Sequence, residues 1–255
     1  RRRSIYPEYK NRRRPQRLNR FYDSDIPDTV ENRNKQVSFV VEIIKNLPVC
    51  QMYVPDCEAD DVIGYLSKYK FSDTKKVILS SDKDFYQLLD KNTIIYSPTL
   101  KNLVTSKDVL NKFGISTSNF ALAKSICGDT SDNIPGIKGA GFKTISKRFP
   151  RLKDIEDVVI KDIIDQSKEM MIEKNPPKIF ERIVEGEEII KRNWKLIYLD
   201  TLSLSSGQIT QIKYLLDTFS PIRNKINVIR MLLKEGIQDF NVDRLFFSMA
   251  CLENE

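Results

Sequence analysis

Apolar positions recur at helical spacing early in the chain. Val37, Val40, Val41 and Ile44 lie three or four apart, which predicts an amphipathic helix over roughly 35–46. The run VCQMYV at 49–54 then reads as a short strand, closed by Pro55-Asp56. A second helix is predicted from Glu58 to about Tyr69, with acids in its first turn where the helix dipole favours them. KVILS at 76–80 is a candidate buried strand, and TIIYS at 93–97 is another. Helix, strand, helix, strand is the order of an α/β core with parallel strands.

From Ser106 onward the period is helical. Ser106 is placed to cap a helix over Val109, Leu110 and Phe113, which Gly114 ends. Further helices fit 118–127, 141–149, 177–192, 208–219 and 224–235. No internal repeat or low-complexity tract interrupts them. The chain therefore divides into an α/β core over 1–112 and a helical half over 113–255. Residues 1–35, broken by Pro7, Pro15 and Pro27, read as an irregular or part-helical basic segment or as a disordered tail.

Composition narrows the chemistry. The 255 residues are 40% hydrophobic and 30% charged, as in a soluble globular protein able to bury a substantial core. No apolar run approaches the roughly 20 residues that span a bilayer, and no secretory signal is visible in the Arg-rich start, which has no apolar run behind it. Forty-two basic against 35 acidic residues give +7, a balance that favours a polyanionic partner. The excess is concentrated at the start, where nine of the first twenty residues are Lys or Arg and Glu8 is the one acid. There is no histidine, which excludes Ser/His/Asp triads and histidine general-base catalysis. Cys50, Cys57, Cys127 and Cys251 form no CxxC pair, so zinc-finger spacing is absent and a reducing cytoplasm is expected. The first residue is not Met, and an N-terminal part of the domain is expected to be missing.

Three acidic clusters stand at the ends of predicted elements: Glu58-Ala59-Asp60-Asp61, Asp82-Lys83-Asp84, and Asp129 with Asp132. Each alone also reads as a helix cap or a solvated turn. Two of them follow predicted strands, and the carboxyl ends of parallel strands share one edge where ligands bind. Seven carboxylates gathered there would repel one another unless cations neutralise them. Hard divalent ions with oxygen ligands suit such a site, Mg²⁺ above all, with Mn²⁺ able to substitute. Two ions about 3.5–4 Å apart would hydrolyse a phosphodiester without histidine.

The stretch from Asn133 to Thr144 adds a glycine-rich turn. Gly136, Gly139 and Gly141 allow close backbone approach, while Lys138, Lys143 and Thr144 offer charge and a hydroxyl to a phosphate. The same residues also read as an ordinary tight turn between helices. The ending of a P-loop is absent.

Together these residues resemble the 5′→3′ exonuclease and flap endonuclease family, in particular its phage branch, which includes the ribonuclease H of T-even-like phages. The resemblance is carried by ICGDTSDNIPGIKGAGFKT at 126–144, CEADD at 57–61, SSDKDFYQLL at 80–89 and RRSIYPEYKNRR at 2–13. It covers at least residues 1–149 and is loose beyond about 150. It implies a parallel-sheet, PIN/FEN-like α/β nuclease core, truncated at its start, followed by a helical half with a helix-hairpin-helix-type DNA clamp. It implies metal ligation by Glu58, Asp60, Asp82, Asp84 and Asp129, with Asp61 and Asp132 as additional carboxylates. The segment 1–35 would form a basic arch. Within it, Lys10 would face the scissile phosphate with Arg12 or Arg13 beside it, Arg2 and Arg3 would add nucleic-acid contacts, and Tyr6 and Tyr9 would stack on a base. The clamp would hold a K⁺ ion on backbone carbonyls between Gly136 and Gly141.

The expected function is Mg²⁺-dependent hydrolysis at 5′ flaps, nicks or RNA primers on DNA during replication. The substrates would be branched or 5′-ended DNA and RNA–DNA duplex, in a cytoplasm, the host's if the protein is phage-encoded. A monomer is expected, with a single-strand-binding protein or a sliding clamp as replication partners. The alternative is a non-catalytic, structure-specific DNA-binding module without a complete metal site.

Overall fold

The computed structural model describes residues 2–11, 29–200 and 203–252. The chain falls into two compact units, one of residues 1–13 with 56–205 and the other of residues 14–55 with 206–255.

The first unit is built on a three-stranded sheet. Strands β1 (Lys76–Leu79) and β2 (Thr93–Ser97) pair in parallel, and β3 (Asn102–Val104) adds antiparallel to β2. One face buries Ile78, Ile95 and Val104. The other leaves Val77, Leu79 and Leu103 exposed, Leu79 at 71%. KVILS is thus a half-buried edge strand. Because alternate residues of a strand point to opposite faces, Ile78 packs inward while its two apolar neighbours face out.

Helices surround the buried face: α1 (Arg2–Ile5), α3 (Ala59–Tyr65), α4 (Ser106–Phe113), α5 (Phe120–Cys127), α6 (Phe142–Arg148), α7 (Ile160–Met170), α8 (Lys178–Glu185) and α9 (Glu187–Ile197). The core runs from Ile78 and Ile95 through Phe120, Ile126, Ile145 and Ile163 to Ile190, so it continues across the boundary expected at 112/113. Phe113, Phe120 and Phe142 form an aromatic triplet with centroids 5.1–5.4 Å apart. Trp194, the only tryptophan, stacks on Tyr198 at 4.3 Å.

Several local expectations are corrected. Thr105, not Ser106, caps α4. Its Oγ1 accepts from the Asp108 N–H, while the Asp108 carboxylate accepts from the Thr105 N–H at 2.8 Å. The single helix expected over 177–192 is two, broken at Gly186, where a Cβ would lie 2.2 Å from Ile137 Cδ1. The third strand, α7, and a two-stranded hairpin of β4 (Gly128–Asp129) and β5 (Ile134–Pro135) were not anticipated.

The second unit contains α2 (Val30–Ile44), α10 (Ser206–Asp217), α11 (Lys225–Lys234) and α12 (Val242–Leu252), of which α12 was also unanticipated. Thr29 caps α2 five or six residues before the predicted start. The apolar set expected to face inward is mostly exposed: Val37, Val40 and Val41 face solvent, whereas Phe39, Ile43 and Leu47 pack on Val228 and Leu232. Residues 49–54 form no strand. Their carbonyls are met by side chains instead, with Gln211 Nε2 on Tyr53 O at 3.2 Å and Gln208 Nε2 on Pro55 O at 2.7 Å. Among the described residues no helix is long and apolar enough to cross a membrane.

Candidate metal centre and glycine-rich turn

The parallel pair β1–β2 ends in the segment that carries Asp82 and Asp84. Ser81 Oγ ties the end of β1 to Thr99 Oγ1 at 2.8 Å. Asp82 then caps a 3-10 turn over Lys83–Leu88 by accepting from the Asp84 N–H at 2.9 Å. Buried Gln87 locks that turn, donating to the Asp84 and Ile197 carbonyls and accepting from Leu199 N–H at 2.9 Å. Asp129 comes from β4, whose closeness to β5 depends on glycine. A Cβ on Gly128 would lie 2.3 Å from Gly136 N, and one on Gly136 would lie 2.0 Å from Cys127 O.

These elements bring Asp84, Asp129 and Asp132 together, with carboxylate oxygens within 4.8 Å of one another. An oxygen-only trio on strand and hairpin ends fits a hard divalent cation. Asp60 and Asp82 lie close enough to raise the Asp60 carboxyl, after the larger effect of burial. The site thus draws on β1, α3 and the hairpin; the strand expected before Glu58 is absent.

The chain's own cations sit among these acids. Lys124, its side chain only 8% exposed on the otherwise apolar α5, contacts Asp84 and lies 2.6 Å from Asp129. Burial pushes Asp84 up to about 6 despite the opposing charge of Lys124. Burial also works against the Asp129 charge, yet hydrogen bonds from Lys124 and Ser131 hold that carboxyl low. Lys124 was not anticipated from the sequence. The available signal was one ammonium inside FALAKSIC, flanked on both sides by fully buried residues.

The N-terminal segment serves the other side. Arg2 grips Asp61 with two bonds of 2.7 Å and donates Nε to Leu196 O. Asp61 also accepts from the Glu58 N–H at 3.2 Å. Lys10 Nζ lies 2.7 Å from Glu58 and 3.7 Å from Asp132. Burial disfavours the Glu58 charge, but the Lys10 hydrogen bond and Arg2 hold its carboxyl below the usual range. Tyr9 is 4% exposed, and its hydroxyl faces Glu58 at 3.1 Å and Asp132 at 3.3 Å. It therefore braces carboxylates, and its ring is not available to stack on a base. The Tyr6 ring already has Arg192 over it, 4.3 Å from the centroid. Arg3 is exposed, on a cavity of about 350 Å³ with Lys195 and Ser203. Arg12 and Arg13 lie outside the described residues.

The glycine-rich turn adjoins the acids across an open cavity of about 580 Å³ whose walls include Asp82, Lys124, Asp129 and Gly141. Its three glycines differ. Gly136 is required by the hairpin, Gly139 by its positive φ of 87°, and Gly141 by nothing internal, since a Cβ there meets no atom within 4 Å. Lys138 and Lys143 are exposed and have no ion-pair partner among the described residues, and Thr144 is half-buried.

The first part of the chain carries a recognisable domain. Residues 1–114 match the N-terminal resolvase-like domain of the 5′-3′ exonucleases. The chain is 32% identical over 158 residues to a 5′-3′ exonuclease of Buchnera aphidicola and 31% identical over 160 residues to one of Aquifex aeolicus. Each alignment covers 62% of this chain and 51% or 50% of the relative, so the chain spans about half the length of these proteins. A DNA polymerase I of Caldicellulosiruptor bescii is 34% identical over 166 residues, 18% of its length. Among solved structures, zinc-bound 5′-exonuclease of phage T5 superposes with a TM-score of 0.65 at 23% identity, covering 85% of this chain and 79% of that one. A flap endonuclease of the same phage, in complex with DNA and metal ions, gives 0.64 at 21%, covering 85% and 78%. The fold is therefore the α/β fold of these nucleases with a helix-rich later half.

Proposed function

We propose that this chain is a 5′ nuclease of the phage branch that hydrolyses phosphodiesters at 5′ flaps, nicks and RNA primers on DNA, using two Mg²⁺ ions. The observation that carries this reading is the convergence of Asp84, Asp129 and Asp132 to within 4.8 Å beside an open cavity that reaches Gly141. The names of the relatives favour catalysis over the non-catalytic alternative.

Asp84, Asp129 and Asp132 would hold one ion, with Glu58, Asp60 and Asp82 supplying the second position. Bound there, the ions would lower the pKa of a water and stabilise the attacking and leaving oxygens. The protein's own task is positioning. Lys124 bridges Asp84 and Asp129, and Tyr9 orients Glu58 and Asp132. Lys10 lines the neighbouring cavity with Glu58 and Asp61, on a left-handed backbone (φ 57°) held by its N–H on Asp132 O at 2.9 Å. From there its ammonium can pass from Glu58 to a phosphate oxygen. Lys138, Lys143 and Thr144 would grip the duplex backbone as a helix-hairpin-helix-type clamp, and the protein would act in the cytoplasm as a monomer beside replication proteins. Asp129→Ala should abolish cleavage of a labelled 5′ flap while affinity for it persists, because the ions serve the transition state more than the ground state. Retained cleavage would sink the reading.

A further inference from the structure

Several carbonyls of the glycine-rich turn already accept hydrogen bonds from the protein. Pro135 O accepts from buried Asn193 Nδ2 at 2.9 Å, Ile137 O from Ala140 N–H at 2.9 Å, and Gly141 O from Ile145 N–H at 2.9 Å. Lys138 O, at the exposed crest, accepts from Arg182 Nη1 at 3.1 Å. Arg182 reaches over from α8, which is brought against the turn where Gly186 meets Ile137. Its guanidinium lies close to Gly139, and no acid pairs with it among the described residues. A guanidinium keeps its charge at any working pH and carries five donors, of which this geometry uses one. A potassium ion on the same carbonyl would have to sit against that fixed positive charge. At the Lys138 carbonyl the expected K⁺ therefore fits poorly.

We propose that Arg182 is the turn's built-in cation: it donates a hydrogen bond to the Lys138 carbonyl and presents its remaining N–H donors to one phosphate of a bound duplex, so that the grip needs no potassium. A bridging ion would do the same two things, binding a main-chain oxygen on one side and a phosphate oxygen on the other. Arg182 does so covalently attached, alongside Lys138 and Lys143, and adds a phosphate-binding residue that the glycine-turn motif does not contain. This inference rests on the reading of the turn as a DNA grip.

The test is duplex affinity of the full chain, in the presence of a divalent ion that does not support cleavage, at one ionic strength in KCl, NaCl or tetramethylammonium chloride. The wild type should bind equally, within about twofold, in all three. Arg182→Met should bind on the order of tenfold more weakly, the scale of one charged hydrogen bond, with a salt slope lower by about 0.9. Arg182→Lys should keep the slope. If the wild type binds tenfold or more tightly in potassium than in tetramethylammonium, or if Arg182→Met leaves affinity and slope unchanged, the proposal is overturned. Should Arg182→Met fail to fold, the wild-type comparison of cations still decides it. Gly141→Val separates the two levels of argument: it has room within the fold, so if it and Lys143→Ala both leave affinity unchanged, the grip itself is wrong.

Discussion

The acidic row is neutralised differently at its two ends. At Asp84 and Asp129 the counter-charge is Lys124, buried on α5 and fixed by the core. At Glu58, Asp61 and Asp132 it comes from Arg2 and Lys10, on a short N-terminal segment whose partners lie more than 45 positions away in sequence. One end is permanently furnished, and the other depends on a segment that docks. The comparison teaches which counter-charge is fixed by the core and which is carried by the N-terminal segment.

The harshest way to break the first end is Lys124→Met. It strands two largely buried carboxylates, and removing one partner of a buried pair costs about 3–5 kcal/mol. Denaturant unfolding in chelator should show that loss, and a divalent cation should restore much of it by taking the ammonium's place. A loss unchanged by metal would separate Lys124 from the metal position.

Lys10→Ala attacks the other end and should spare stability, because Lys10 is replaced there by water and by Arg2. Cleavage under single-turnover conditions should fall by about 10²–10³, the scale of losing one preorganised stabiliser. Wild-type cleavage by the bound variant would reduce Lys10 to a counter-ion.

Arg2→Ala gives the converse. Two charged hydrogen bonds to Asp61 and one to Leu196 O are lost, worth roughly 1.5–3 kcal/mol, again read by denaturant unfolding. A variant as stable as the wild type would mean that the N-terminal segment is not held as described.

Protons sharpen the contrast more gently. Burial raises Asp84 to about 6, so the folded form holds its proton more tightly than the unfolded chain does. That group therefore destabilises the metal-free fold above about pH 6, and the cost fades as pH falls from there toward the ordinary carboxylate range. Glu58 and Asp129 are shifted the opposite way and titrate lower. Since a ligand must be deprotonated, calorimetric affinity for a divalent ion should drop about tenfold from pH 7 to pH 5. A flat profile would remove Asp84 from the ligand set.

The acidic runs DKD after KVIL and EADD at the start of α3 stand out in the sequence, and of these runs Asp84 is the residue that meets Asp129 and Asp132. The hairpin was not legible, since β4 and β5 are two residues each and depend on a contact between Gly128 and Gly136 that no periodicity records. Lys124 was hidden by its apolar surroundings, and Arg182 by lying 44 positions from the carbonyl it meets. Tyr9 looked like a stacking residue because its type suits that role, and only its burial shows otherwise. VCQMYV had the composition of a strand but no ladder partner, and glutamine side chains from α10 took the hydrogen bonds. Pattern reading recovers elements whose stability is local. It misses those that exist only because a distant residue completes them.

Trp194 stacks on Tyr198 in the first unit, and the second unit has no tryptophan at all. Indole emission therefore watches one unit melt and is blind to the other, whereas far-ultraviolet circular dichroism sees the helices of both. Overlaid denaturation curves from the two optical signals would measure whether the units come apart together or one after the other, with no label introduced.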